Sequence, residues 1–223
     1  MSNKIQYKIG LESDFRDYYD HWFTPQYQHP NKVLKRIANS QSWSKREQLQ
    51  FLETIGKTPF NRVVRELPSF LDQKLVVYVN EYSHRGEGKV LLEFEEALEK
   101  YPEKYASVYI EQESGSTTSF RLLQIGDSSW WLKYQSSDNW RSNVGDVTVE
   151  VEGESSSGWE DIQRNVEPLK DYPLFAIDFV QSIAGHLYAI DFNTAPGLSG
   201  TGMEELLKGK EVFELIAEHY LRA

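Results

Sequence analysis

Two short apolar runs toward the C-terminal end, residues 175–180 and 187–190, constrain the chain more than any other feature. Each is too short for a helix and is flanked by turn-forming residues, so each reads as a buried strand. Between them lies Gln181-Ser182-Ile183-Ala184-Gly185, which predicts a turn and hence an antiparallel hairpin. Asp178 interrupts the first run. Asp191 and Asn193 follow the second at i, i+2, so on an extended chain they share a face. Pro196-Gly197 then stops the strand. The hairpin would bring Asp178 beside Asp191 and Asn193, and three oxygen donors so placed suit a hard divalent cation. The plainer reading is a core hairpin with capped turns.

At 223 residues the chain is long enough for one large domain or two small lobes. A net charge of −10 argues against a general nucleic-acid-binding surface. With no cysteine, disulfides and thiolate chemistry are excluded. The N-terminus lacks an apolar signal-peptide core, and no window approaches the ~20 apolar residues of a membrane span. The expectation is a soluble cytoplasmic protein without membrane attachment.

Residues 1–41 carry little signal beyond a candidate strand at 4–11 and an aromatic, acidic stretch at 14–23. Residues 42–55 read as a helix: Ser44 can cap it with Glu47 as capping-box partner, Leu49, Leu52 and Ile55 form the apolar stripe, and Gly56 and Pro59 end it. A β-branched strand at 74–80 precedes Gly86-Glu87-Gly88, whose backbone N–H groups could cradle phosphate, with Arg85 and Lys89 adding charge. A helix is predicted over 93–100 and strands over 107–112, 120–126, 130–134 and 147–151. A helical stretch is expected at 160–170 and a terminal amphipathic helix over 203–221.

Taken in order, these motifs resemble the ATP-grasp ligases. Asp-Phe-Val, a turn, then Asp-Phe-Asn-Thr-Ala-Pro-Gly-Leu resembles that family's metal hairpin, usually an Asp followed by Glu-Val-Asn-x-x-Pro-Gly. Arg141-Ser142-Asn143 matches the Arg-(Ser/Thr)-Asn element of the peptide-forming members similar to the ribosomal-protein glutamate ligases. The resemblance covers about residues 42–210 and is most specific over 140–200. It implies an α+β fold of two lobes, with mainly antiparallel sheets and packed helices. Residues 1–41 would be an abbreviated N-terminal segment, 42–113 a small lobe with the glycine-rich loop, and 114–223 a large lobe with the metal hairpin.

The chemistry implied is activation of a carboxylate by ATP. The carboxylate attacks the γ-phosphate, and an amine captures the resulting acyl phosphate. The resemblance assigns Mg²⁺ or Mn²⁺ to Asp178, Asp191 and Asn193, and the transferring phosphate to Arg141 and Asn143. Nucleotide contacts fall to Lys45, Lys89, Gln112, Glu113, Lys133, Arg141, Ser142 and Asn143. The substrate would be a small molecule or peptide with a carboxylate, joined to an amine acceptor; a second subunit or partner protein could complete the acceptor surface. Three departures stand out: the family's strand lysine, due near Tyr78 or Val79, is missing; Ser119 stands where an Asp is common; and Asp191 replaces Glu. They motivate a rival reading, a pseudoenzyme of this fold that binds nucleotide or a protein partner without turnover. A third reading is a metal-independent, β-rich interaction protein.

Overall fold

The structure, a computed structural model, describes residues 43–68, 72–82, 87–112, 116–152, 169, 172, 174–193, 196, 201–207 and 215. The expectations for 1–41, Arg85 and Glu113, and most of those for 160–170 and 203–221, lie outside the described residues.

Helix α1 (Lys45–Glu53) begins where the sequence places it: Glu47 N–H donates to the Ser44 hydroxyl, and Ser44 N–H donates to the Glu47 carboxylate at 2.7 Å. Its end comes earlier than expected. Thr54, not Gly56, is the C-cap, with its hydroxyl on the Phe51 carbonyl at 2.7 Å. Leu49 and Leu52 are fully buried and Ile55 nearly so.

Four strands, β1 (Asn61–Val63), β2 (Leu75–Tyr78), β3 (Lys89–Leu92) and β4 (Tyr105–Val108), form an antiparallel sheet in the order β1-β4-β2-β3. Helix α2 (Phe94–Lys100) covers one face, sharing a core of Val64, Leu75, Val77, Phe94, Ala97, Ala106 and Val108. β4 occupies 105–108 rather than the expected 107–112, because its register with β2 ends at Leu75↔Val108. Past that point the chain turns to the second sheet, and Gln112 is bound to Thr118 on both its amide N and O, at 2.6 and 2.7 Å.

The second sheet is built from β5 (Thr117–Ile125), β6 (Ser128–Ser136), β7 (Val147–Val151), β8 (Leu174–Gln181) and β9 (Leu187–Asn193). All neighbours are antiparallel, in the order β7-β6-β5-β8-β9. β7 matches its predicted range, and β8–β9 is the predicted hairpin. A short helix, α3 (Met203–Leu206), follows. Helix α1 lies against β9, with the Phe51 and Phe192 rings tilted against each other at 5.0 Å between centres. The Ala189 N–H donates to the Lys57 carbonyl at 2.8 Å, which covers part of the edge strand. One core runs from α1 through Tyr78 and Tyr105 of the first sheet to Phe120, Leu122, Trp131, Ile177 and Phe179 of the second. The two sheets therefore meet over α1, and their polar residues face one another beside that core. Among the described residues no helix is long and apolar enough to cross a membrane.

Candidate functional site

The site is built on a register. Arg121 of β5 stands opposite Asp178 of β8, and Asp178 opposite Asp191 of β9. Cross-strand partners share a face, so one guanidinium and two carboxylates line up across three strands. The neighbouring positions Leu122, Ile177 and Phe192 are in register on the other face and buried in the core. A β-bulge keeps this arrangement. Phe179 pairs with Ala189 while Asp178 pairs with Asp191, leaving Ile190 as the extra residue. Without it, strict alternation would place Ala189 and Asp191 on one face. With it, Ala189 is buried and Asp191 sits in the polar row.

Arg121 holds Asp178 in a fork, Nε to Oδ1 at 2.6 Å and Nη2 to Oδ2 at 2.8 Å, and lies 5.0 Å from the Tyr134 ring. Burial works against the guanidinium's charge, but Asp178 outweighs it and raises the Arg121 pKa above its ordinary value. Lys45, at the first turn of α1, pairs with Asp191 Oδ1 and donates to Gln48 Oε1 at 2.9 Å. It is only 8% exposed. Burial acts to raise the Asp191 carboxyl, but Lys45, Lys89 and Arg121 prevail and hold it below the usual carboxylate range.

The first sheet contributes two further side chains. Tyr78 and Lys89 are direct cross-strand partners, so both side chains emerge on one face. The Lys45 ammonium lies 6.0 Å from the Tyr78 ring, and the Tyr78 hydroxyl is 3.0 Å from Ser107 Oγ. Burial pushes the Tyr78 hydroxyl up. Desolvation and then the Lys45 charge lower the Lys89 pKa, against the pull of Asp191 and Asp178; Arg141 also lowers it. Lys45, Lys89 and Arg121 thus act on Asp191, and Arg121 is also paired with Asp178. Basic side chains gathered in this way suit an anion with several oxygens.

Arg141 sits on a turn after β6 that is fixed by its own side chains. Asn139 Oδ1 accepts from the Arg141 N–H at 3.0 Å and its Nε at 3.2 Å. Asp138 Oδ1 accepts from Ser136 Oγ at 3.1 Å and Asp146 N at 3.0 Å. Gly145 is required there: its φ is +86°, and a Cβ would fall 2.0 Å from Asp138 Oδ1. Ser142 Oγ lies 2.5 Å from Ser119 Oγ, which ties the turn to β5.

Of the residues expected in the site, Lys45, Lys89, Asp178 and Asp191 come together, and the charge of Arg141 reaches Lys89. Asn193 extends the Asp191 strand by two residues, opposite Ala176. Asn143 is exposed on the turn, and Gln112 braces Thr118. Lys133 is the cross-strand partner of Phe120, on the face opposite Arg121, and lies 4.0 Å from Glu152. Arg121 was not among the expected site residues. Its signal was available: a lone charge in the apolar strand Phe120-Arg121-Leu122-Leu123, which demands a buried partner.

Ionised Asp191 beside Asp178, with the Asn193 amide along the strand, is an all-oxygen donor set of the kind Mg²⁺ and Mn²⁺ take. The residues fit such an ion on condition that Lys45 releases Asp191 Oδ1 and that the ion takes a second lone pair of an Asp178 oxygen already bound by Arg121.

Comparison of the sequence with protein-family models and with curated proteins gives no match. Comparison of the fold does. The chain is similar to the ATP-grasp ligase PsnB complexed with a phosphomimetic variant of its minimal precursor, Mg and ADP, with TM-score 0.59 at 15% identity over 84% of this chain and 61% of that one. The chain has the ATP-grasp fold. It is also similar to an L-amino acid ligase from Bacillus licheniformis, with TM-score 0.51 at 14% identity over 88% of this chain and 56% of that one. A Chryseobacterium gregarium RiPP-associated ATP-grasp ligase, in complex with ADP and a leader and core peptide, matches with TM-score 0.56 at 16% identity over 93% of this chain. The chain spans 56–66% of the length of these three solved structures.

Proposed function

We propose that this protein is an ATP-dependent carboxylate–amine ligase that works through an acyl phosphate. The observation that carries the reading is the row Arg121–Asp178–Asp191, met by Lys45 and Lys89 where the two sheets of an ATP-grasp fold approach each other. Lys45 and Lys89 would grip the polyphosphate from α1 and β3, and Arg141 would steady the transferring group. Lys89 would replace the missing strand lysine: it rises from the strand opposite Tyr78, on the same face. Asp178, Asp191 and Asn193 would hold Mg²⁺ or Mn²⁺, which would supply countercharge to the phosphates. Arg121 would hold Asp178 in a fixed orientation through its two-pronged contact. Asn143 would act at the margin of the site, and backbone groups near Gln112 and Glu113 would meet adenine.

PsnB and the Chryseobacterium ligase are complexed with precursor or leader and core peptides. A peptide carboxylate is therefore the preferred donor class, with an amine as acceptor. The pseudoenzyme remains the second reading, because both carboxylates are engaged by basic side chains and Ser119 stands in place of an Asp.

Thermal melts with ATP and Mg²⁺ test the reading: the wild type should shift upward and Asp178→Ala and Asp191→Ala should not. No wild-type shift would remove nucleotide binding from the account. A shift without ADP release across a panel of peptide carboxylates and amines would select the pseudoenzyme.

A further inference from the structure

The carboxylate most needed by a divalent cation is already taken. Asp191 Oδ1 accepts from the Lys45 ammonium, which Gln48 Oε1 also holds at 2.9 Å. The root of that side chain is fixed: Ser44 caps the helix directly before it, and the Lys45 N–H donates to the Glu81 carbonyl at 2.8 Å. The four-carbon stem has rotatable bonds that let the ammonium move between partners a few ångströms apart. A divalent cation on Asp191 and an ammonium on the same oxygen exclude each other by contact and by charge. An incoming polyphosphate does the opposite, because it offers Lys45 new anionic oxygens beside Lys89.

Resting on the nucleotide reading above, we propose that Lys45 is a built-in counter-ion that occupies the Asp191 seat in the nucleotide-free protein, so that a divalent cation enters only when a polyphosphate draws the ammonium away. The lysine then has two posts. On Asp191 it neutralises a carboxylate that stands opposite Asp178; on phosphate it releases that carboxylate for the metal. Nucleotide and metal binding are coupled through this one side chain, and the coupling is reciprocal. The same contact discourages loading of the site by metal alone.

The test is Mn²⁺ binding to the full chain without nucleotide, followed by electron paramagnetic resonance of free Mn²⁺. Wild type, Lys45→Met, Lys45→Gln and Lys45→Met/Asp191→Asn are compared, and apo melts identify which variants are folded. The expected result is weak binding by the wild type and binding at least about tenfold tighter in Lys45→Met, or in Lys45→Gln if the Met variant fails to fold. Adding Asp191→Asn should abolish the gain, which separates this seat from surface carboxylates. Equal Mn²⁺ affinity in wild type and Lys45 variants, or a gain that survives Asp191→Asn, overturns the proposal. ATP titrated into the wild type with Mn²⁺ present reports separately on the underlying reading. Absence of ATP binding overturns that reading and the displacement step, whereas ATP binding with no Lys45 effect on Mn²⁺ overturns the counter-ion alone.

Discussion

At the scale of single residues, the balance of charge around Asp178 and Asp191 makes distinct demands on each side chain. Arg121 and Asp178 are 15% and 17% exposed at their side chains, so removing one partner strands a largely buried charge. Arg121→Ala should cost about 3–5 kcal/mol of stability, a drop readable by urea unfolding. Arg121→Lys should recover only part, since an ammonium cannot fork onto both carboxylate oxygens. Lys89 titrates in the opposite sense to a lysine that gains a partner. Its folded pKa is lowered, chiefly by desolvation, so its charged form is disfavoured in the nucleotide-free protein. A bound polyphosphate reverses that, so binding should take up protons near the folded pKa, and affinity should fall with rising pH before the ordinary lysine range. Calorimetry in buffers of different ionisation enthalpy measures the uptake, and Lys89→Met should abolish it. Asp191 has a depressed folded pKa, so its stabilising contribution is present above the unfolded carboxylate range and is lost as pH falls below it.

At the scale of elements, the β8–β9 hairpin and the cap of α1 were legible in the sequence because their signals are local. Alternation, a turn and a capping box each act over a few residues. The bulge at Ile190 was not legible: nothing in Tyr188-Ala189-Ile190-Asp191 distinguishes it, and it exists because Ala189 must enter the core while Asp191 meets Asp178. The end of β4 was missed for a similar reason, since the strand stops where its partner β2 stops, not where the apolar run does. Lys89 illustrates both sides. Its presence near a glycine turn was plain, but that it shares a face with Tyr78 is a matter of register, which only the paired strands reveal. Exchanging the two, Tyr78→Lys with Lys89→Tyr, should preserve nucleotide binding better than Lys89→Met does, as read by fluorescence of a labelled ATP analogue. At the Arg141 turn, Gly145→Ala should destabilise by at least about 1 kcal/mol, through its positive φ and the contact with Asp138. It should also weaken nucleotide binding by displacing Arg141, a change visible in the same fluorescence assay.

At the scale of the molecule, two antiparallel sheets converge on one helix, and the polar faces beside the shared core hold the charged row. The ATP-grasp architecture was legible from the order of the motifs, although none of them was specific alone. Arg121 escaped because its importance arises from three strands brought side by side, a relation between positions 57 and 13 residues apart. Where the sequence departs from the ATP-grasp pattern, Lys89 faces the Tyr78 position and the Ser119 hydroxyl meets Ser142. The central claim is that this row is a nucleotide-phosphate and metal site. Calorimetric titration of ATP with Mg²⁺ into wild type and Asp191→Ala, both shown to be folded, tests it most directly. The account predicts one saturable site in the wild type and its loss, or a weakening of tenfold or more, in the variant; no binding by the wild type, or equal affinity in both, would contradict it.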